Sequence, residues 1–259
     1  MNGAARPVAV VTGASSGIGA ELARQLARDG HDLVLSARTI APMEALAAEL
    51  ETYLASSSVI PADLSRPGAA AKLANEIETR GLAVDVLINN AGLGAVGRFD
   101  EIDPGRVSEM LQVNVVALTE LTRLLLPAMI ARGRGKVMLV ASTAGFQPGP
   151  RMAVYFATKA YVLSLGEALA YELRRTGVTV TTLCPGATAT NFFKTAGARD
   201  IAAQPMMSAE AVARAGYRAM TTGRRVVITG MLNNILAIGA RLAPHSLTLP
   251  ATAALMSRR

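Results

Sequence analysis

The chain has 259 residues, enough for one large α/β domain or two ordinary ones, and its 51% hydrophobic content supplies a substantial core. A single cysteine, Cys184, excludes an internal disulfide and a thiol metal cluster. The two histidines, His31 and His245, lie far apart, so no metal site is expected and a reducing, cytoplasmic setting is. The whole net charge of +7 sits in residues 211–259, which hold seven arginines and no lysine, aspartate or glutamate; aromatic residues are only 4% and the body has no basic runs, so no nucleic-acid partner is expected.

The first strand, "VAVVT", runs into "TGASSGIGAELARQLA" without a basic leader or a cleavage site, and no run of eighteen apolar residues follows, so neither export nor a membrane span is expected. Within it, Gly13, Ser15, Ser16, Gly17, Ile18 and Gly19 read as a strand end, a glycine turn and a helix entry. There bare backbone can approach a pyrophosphate and the helix N-terminus faces its charge. The spacing is G-x-x-x-G-x-G, not G-x-G-x-x-G, and glycines in a sharp turn also suit a turn without a ligand. Placement after the first of several alternating strands favours a nucleotide.

The second strand, "DLVLSARTI", is expected to end over an adenosine ribose. A carboxylate there would accept the ribose hydroxyls and repel a 2′-phosphate. This chain has Ser36, Ala37 and Arg38 instead, and a guanidinium that can fork onto phosphate favours NADP(H), with NAD the less favoured coenzyme. The plainer reading of Arg38 is a surface arginine at a strand end.

The alternation continues through "PMEALAAELETYLA", "SSVIPA", "AAAKLANEIETRG" and "VDVLIN". A long helical stretch, Pro104 to Arg132, precedes the strand "KVMLVAS". Ala153 to Arg175 precedes "VTVTTLCP", and Ala209 to Thr221 precedes "RRVVITG". Continuous apolar strands separated by helical patterns require a parallel sheet covered on both faces. The expectation is a single doubly wound, Rossmann-type α/β domain over residues 1–230, with a seven-stranded parallel sheet flanked by helices and a substrate loop at about 187–207. Residues 231–259 follow as a basic, apolar C-terminal extension.

In "AVYFATKAYV", Ala153 to Val162, Tyr155 and Lys159 stand at i and i+4, on one helical face. An ammonium beside a phenol favours the phenolate and would bring the phenol toward proton transfer at working pH. Taken alone, the spacing also suits an amphipathic helix with a half-buried tyrosine and a snorkelling lysine.

Together, "TGASSGIG" (Thr12 to Gly19), "NNAG" (Asn89 to Gly92), Asn114, Ser142, "YFATK" (Tyr155 to Lys159) and "PG" (Pro185, Gly186) stand in an order and spacing that resemble the short-chain dehydrogenase/reductase family over roughly residues 7 to 190. The resemblance implies a carbonyl/alcohol oxidoreductase in which Tyr155 exchanges the proton on oxygen while hydride moves to or from the nicotinamide. Lys159 would lower the phenol pKa and hold the nicotinamide ribose, Ser142 would polarise the substrate oxygen, and Asn114 would fix a water linking the lysine to solvent. It also implies Asp63 and Leu64 at the adenine edge, Asn90, Ala91 and Gly92 along the ribose, and Gly186, Thr188 and Thr190 at the nicotinamide amide and diphosphate. The aspartate usual for an NAD ribose is missing, in keeping with NADP(H).

The crevice beyond the strand ends is expected to be lined by Gly92 to Phe99, Thr143 to Met152 and Thr190 to Met207. Phe146, Phe192, Phe193, Met206 and Met207 fall there and favour an apolar carbonyl compound as the small-molecule substrate. The alternatives are a catalytically idle NADP-binding sensor or scaffold on the same fold, and a membrane-surface reductase of lipid-like substrates. In the tail, Met231, Leu232, Ile235, Leu236, Ile238 and Leu242 spread across a broad helical face. Such a face suits one of three alternative uses: a subunit contact, a flap over the crevice, or a foot on anionic lipid. The subunit contact is favoured, giving a homodimer or homotetramer, because related enzymes assemble through outer helices and C-terminal segments.

Overall fold

The computed structural model describes residues 6–197 and 206–257. In chain order, β1 (Val8–Thr12), α1 (Gly17–Arg28), β2 (Asp32–Ser36), α2 (Ile40–Leu50), β3 (Ser57–Val59), α3 (Ala69–Thr79) and β4 (Val84–Asn89) make the first half. A long helix then leads to β5 (Gly135–Val140), α6 (Ala153–Glu172) and β6 (Val178–Cys184). The sheet order is β3-β2-β1-β4-β5-β6-β9, where β9 is Val226–Ile228, and every pairing is parallel, as the alternating pattern predicts.

The two-residue period of the strands divides the core. Val10, Val34, Leu87, Val137, Leu139 and Val180 face one side, where Leu73 and Ile77 of α3, Leu121, and Val162 and Leu163 of α6 cover them. Ala9, Val11, Leu33, Leu35, Ile88, Met138 and Leu183 face the other side, under Leu22 and Leu26 of α1, Met43 and Leu46 of α2, and Val212 and Met220 of α8 (Ala209–Thr221). Strands apolar on both faces therefore form the middle of three layers. The chain reverses its order of strand addition between β1 and β4, which opens a crevice at their carboxyl ends.

The long helix runs from Pro104 to Ala131 as α4 (Pro104–Leu111), a wider π-helical stretch (Gln112–Ala117) and α5 (Leu118–Ala131). Asp103 caps it by accepting from the Arg106 amide at 2.9 Å, and Pro104 takes the first turn, where no amide is needed. It is long and apolar enough to cross a bilayer, but Leu118, Leu121 and Met129 are buried against the sheet, as in a core helix.

Beyond β6, β7 (Thr188–Ala189) pairs with β8 (Met207–Ser208), joining the two ends of the expected substrate loop. Residues 198–205 of that loop lie outside the described residues; within it, α7 (Phe192–Thr195) is a single helical turn. The tail forms two helices, α9 (Met231–Leu242) and α10 (His245–Ser257); sequence periodicity pointed only to the first.

Candidate active site

The glycine turn and the loop after β4 are joined at one hydroxyl. Thr12 Oγ1 donates to the Ile88 carbonyl at 3.2 Å and accepts the amides of Asn90 and Ala91, both at 3.1 Å. The Asn90 side chain returns to the Thr12 and Gly13 carbonyls at 3.0 and 3.2 Å. Gly13 and Gly17 have φ of +66° and +58°, which disfavours any side chain. A Cβ at Gly13 would also lie 2.8 Å from Asn90 Nδ2, and one at Gly17 would lie 2.9 Å from Thr190 Cγ2. Gly19 sits behind the turn, where a side chain would strike the Gly13 carbonyl oxygen, so its place is in helix packing and not on the cavity wall.

Gly13, Ser15, Ser16, Gly17 and Ile18 form one end of a cavity of about 590 Å³ that runs along the carboxyl edge of the sheet. At the tip of β2 its wall holds Ser36, Ala37 and Arg38, with Asp63 and Leu64 beyond β3. The Ser36 hydroxyl is buried without a partner among the described residues. Arg38 is exposed and makes no ion pair among the described residues. Asp63 is held below the usual carboxylate range, chiefly by the Ser65 hydroxyl donating to it at 2.7 Å, with Arg38 and Arg66 adding to the effect.

Asn90, Ala91 and Gly92 carry the wall to the other end, where Ser142, Tyr155 and Lys159 meet Gly186, Thr188 and Thr190. Ser142 stands two residues beyond β5 and caps a 3₁₀ turn (Thr143–Phe146), accepting the Ala144 amide at 3.1 Å and donating to the Pro185 carbonyl at 3.3 Å. Lys159 is buried and donates to the Val140 carbonyl at 2.8 Å; its ammonium lies 5.8 Å from the centre of the Tyr155 ring. Burial pushes it down to about 8, with Cys184 opposing slightly.

The phenol moves against expectation. Burial pushes Tyr155 up to about 12, and the hydrogen bond with Ser142 recovers only part of that shift. The field of the i+4 ammonium was expected to lower it, but an uncharged phenol in apolar surroundings keeps its proton.

Asn114 and Lys159 both flank Gly92, each 3.5 Å from where its Cβ would stand, but they hydrogen-bond to different partners. In the π-helical stretch, the Asn114 amide brackets Leu93, accepting the backbone N–H and donating to the carbonyl, both at 2.8 Å. It also donates to Thr158 Oγ1 at 3.0 Å. Thr158, which the sequence reading passed over, donates in turn to the Tyr155 carbonyl at 2.7 Å and ties Asn114 to the helix that carries the tyrosine.

The outer cavity differs from expectation. Phe192 and Phe193 line it, but Phe146 packs into the core beneath the sheet. Met207 turns into the core on the other side, against α8, and Met206 also lies off the wall. Of the Gly92–Phe99 loop, only Gly92 and Leu93 reach the cavity; Phe99 points to solvent. The missing wall comes from α9 through Leu232, Asn233, Leu236, Ala237 and Ala240. Asn233 packs against Gly186, where no side chain would fit, and donates to the Thr229 carbonyl at 2.7 Å. The flap reading of the tail therefore describes α9's inner face. Its outer face leaves Met231, Ile235 and Leu242 exposed.

Comparison with known proteins agrees with this arrangement. A ketoacyl reductase of Nostoc sp. is 33% identical over 177 residues, 68% of this chain and 62% of its own length, so the match leaves more than a third of that relative uncovered. A short-chain dehydrogenase from Sphingobium yanoikuyae, solved in complex with NADPH, superposes with a TM-score of 0.83 at 34% identity, over 91% of this chain and 93% of that one. A bulky-bulky ketone specific alcohol dehydrogenase from Comamonas testosteroni gives 0.78 at 30% identity, over 91% and 92%. The short chain dehydrogenase profile matches residues 7–200, and with the parallel sheet, the glycine turn and the Ser142, Tyr155 and Lys159 constellation already in place, the chain belongs to the short chain dehydrogenase family of oxidoreductases.

Proposed function

We propose that this protein is an NADP(H)-dependent oxidoreductase that interconverts an apolar ketone or aldehyde with its alcohol by hydride transfer, Tyr155 exchanging the proton on oxygen. The observation that carries the reading is that Ser142, Tyr155 and Lys159 share one cavity with the glycine turn of β1. The residues fit the coenzyme: side-chain-free backbone at Gly13, an unpartnered Ser36 hydroxyl, an exposed Arg38, and a Lys159 ammonium with one of its three protons committed to Val140. Gly13, Ser15 to Ile18, Arg38, Asp63, Leu64, Asn90 to Gly92, Gly186, Thr188 and Thr190 would hold it. When bound in its reduced form, it supplies the hydride that the carbonyl carbon accepts, and is itself oxidised to NADP⁺.

The chain's own groups handle the oxygen. With a pKa pushed up to about 12, Tyr155 keeps its proton at neutral pH and is ready to give it to an oxygen gaining negative charge. Ser142 supplies a second hydroxyl at the same place, and the Lys159 cation, present below about pH 8, stabilises the phenolate left behind. Asn114 holds the Leu93 backbone, and through Thr158 the start of α6, so that these groups are preset. Atoms balance: the carbonyl gains a hydride on carbon and the tyrosyl proton on oxygen, and reprotonation of Tyr155 from solvent closes the cycle.

The apolar outer wall of Phe192, Phe193, Met152, Leu232 and Leu236 supports an apolar substrate, as do the ketoacyl and bulky-ketone names of the relatives. The same proposal includes a homo-oligomer joined through exposed apolar helices and, from a lone buried thiol at Cys184, a cytoplasmic setting. A panel of medium-chain ketones, steroid ketones and acyl thioesters, followed by NADPH absorbance with NADH in parallel, tests it. Turnover with NADPH preferred supports the reading, and tight NADPH binding without turnover of any compound would establish a sensor instead.

A further inference from the structure

Phe192 is placed with unusual firmness for a residue on a single helical turn. Its ring lies 5.1 Å from that of Tyr155, centre to centre, tilted by 44°, and Phe193 braces it edge-on at 5.5 Å. The tip of the ring also presses on Gly94, where a Cβ would stand 2.5 Å from Phe192 Cζ and 3.1 Å from Cε2. Gly94 is itself anchored, its carbonyl accepting from Arg106 Nη2 at 2.9 Å. The end of the turn is pinned too: the Val96 amide donates to the Ala196 carbonyl at 2.9 Å, and Ala196 is buried. An anchored glycine thus leaves the space that lets a phenyl ring lie against the proton donor.

An unsymmetrical ketone can enter such a site in two ways. Its oxygen must reach Tyr155 and Ser142, and hydride must reach its carbon from one fixed side, so the two poses differ only in which substituent lies beside Tyr155. They yield opposite enantiomers of the alcohol. The Phe192 ring walls the place beside Tyr155; Leu232 and Leu236 also line the cavity but remain 68% and 59% exposed, a looser wall. A flat apolar substituent packs on the ring, and a flexible one suits the looser wall.

We propose that Phe192, held against Tyr155 by the space at Gly94, is the residue that decides which substituent lies beside the proton donor and hence which enantiomer of the alcohol forms. This rests on the carbonyl reductase reading above. The test reduces acetophenone and 2-octanone with NADPH and measures product enantiomers by chiral chromatography for wild type, Phe192→Ala, Phe192→Tyr and Gly94→Ala. Gly94 lies outside the left-handed region, so alanine keeps the backbone and displaces only the ring. Loss of one aromatic contact should lower the enantiomeric ratio for acetophenone roughly 2- to 10-fold in Phe192→Ala and Gly94→Ala, while Phe192→Tyr keeps it. Misfolding cannot produce that result, because both enantiomers come from the same surviving molecules. A ratio unchanged in both variants would overturn the role of Phe192 and leave the reductase reading standing; a wild type that turns over neither these ketones nor any other compound of the panel above overturns both.

Discussion

Lys159 holds its ammonium 5.8 Å from the centre of the Tyr155 ring and commits one proton to the Val140 carbonyl, so the cation is tied to the sheet and not to the phenol. Burial drives the two groups' proton affinities apart, the phenol up to about 12 and the ammonium down to about 8. Between them lies a range in which the acid is loaded and the cation begins to disappear.

The pH dependence follows with a definite sign. Ketone reduction should be nearly flat on the acid side of neutrality and fall as pH rises through about 8, where Lys159 loses its charge. Initial rates at saturating NADPH across this range check it. A decline that begins only near the ordinary lysine range would assign the limb to another group.

Lys159 also carries a stability cost. Its folded pKa lies below its unfolded one, so between the two the unfolded chain binds more protons and stability rises with pH; below about 8 the cost is present in full. Lys159→Met should therefore abolish turnover yet stabilise the fold at neutral pH, by something on the order of 1–3 kcal/mol. Thermal melts at neutral and strongly alkaline pH should show a gain in Tm that shrinks as the wild-type lysine discharges. A loss of Tm at neutral pH would mean that the Val140 hydrogen bond outweighs desolvation.

Removing only the phenolic oxygen separates binding from chemistry. Tyr155→Phe should keep NADPH affinity and lose roughly 10²- to 10⁴-fold in kcat, the usual effect of losing a general acid. Calorimetric NADPH titration beside steady-state kinetics measures both, and retention of most activity would remove Tyr155 from the proton path.

Coenzyme choice should lie at the tip of β2. Ala37→Asp with Arg38→Ile adds a carboxylate at the strand tip and removes the exposed guanidinium beside it, and should shift the ratio of kcat/KM for NADPH over NADH by at least roughly 10- to 100-fold toward NADH. An unchanged ratio would place selection elsewhere on the wall.

The α9 wall should act on bulky substrates. Leu232→Ser with Leu236→Ser removes apolar lining at the mouth and should raise KM for a steroid-sized ketone by roughly tenfold, with a smaller effect on a short one. Equal changes for both would show that the helix acts through overall folding instead.

Features set by local chemistry were readable from the sequence. Seven apolar runs became seven parallel strands, and the glycine turn, Ser142, Tyr155 and Lys159 reached one cavity, because strand ends and helix phase place them. Features decided by long-range packing were not. Phe146 and Phe192 look alike in sequence, and only the fold sends one into the core and the other to the wall. The direction of the Tyr155 shift depends on how completely the cleft excludes water, which no i to i+4 spacing reports. Nor does Asn114 announce that its amide will bracket Leu93.

The Thr12 hydroxyl, with three bonds on one oxygen, joins the ends of β1 and β4. The Asn90 and Ala91 amides border a water-accessible cleft, yet they can be released only by breaking a joint that also holds the sheet. They should therefore exchange with deuterium as slowly as the central strand amides, opening only in global unfolding. Thr12→Val would keep the shape and should turn this loop into an independently fraying one, visible as fast exchange at two adjacent amides while the strands stay protected.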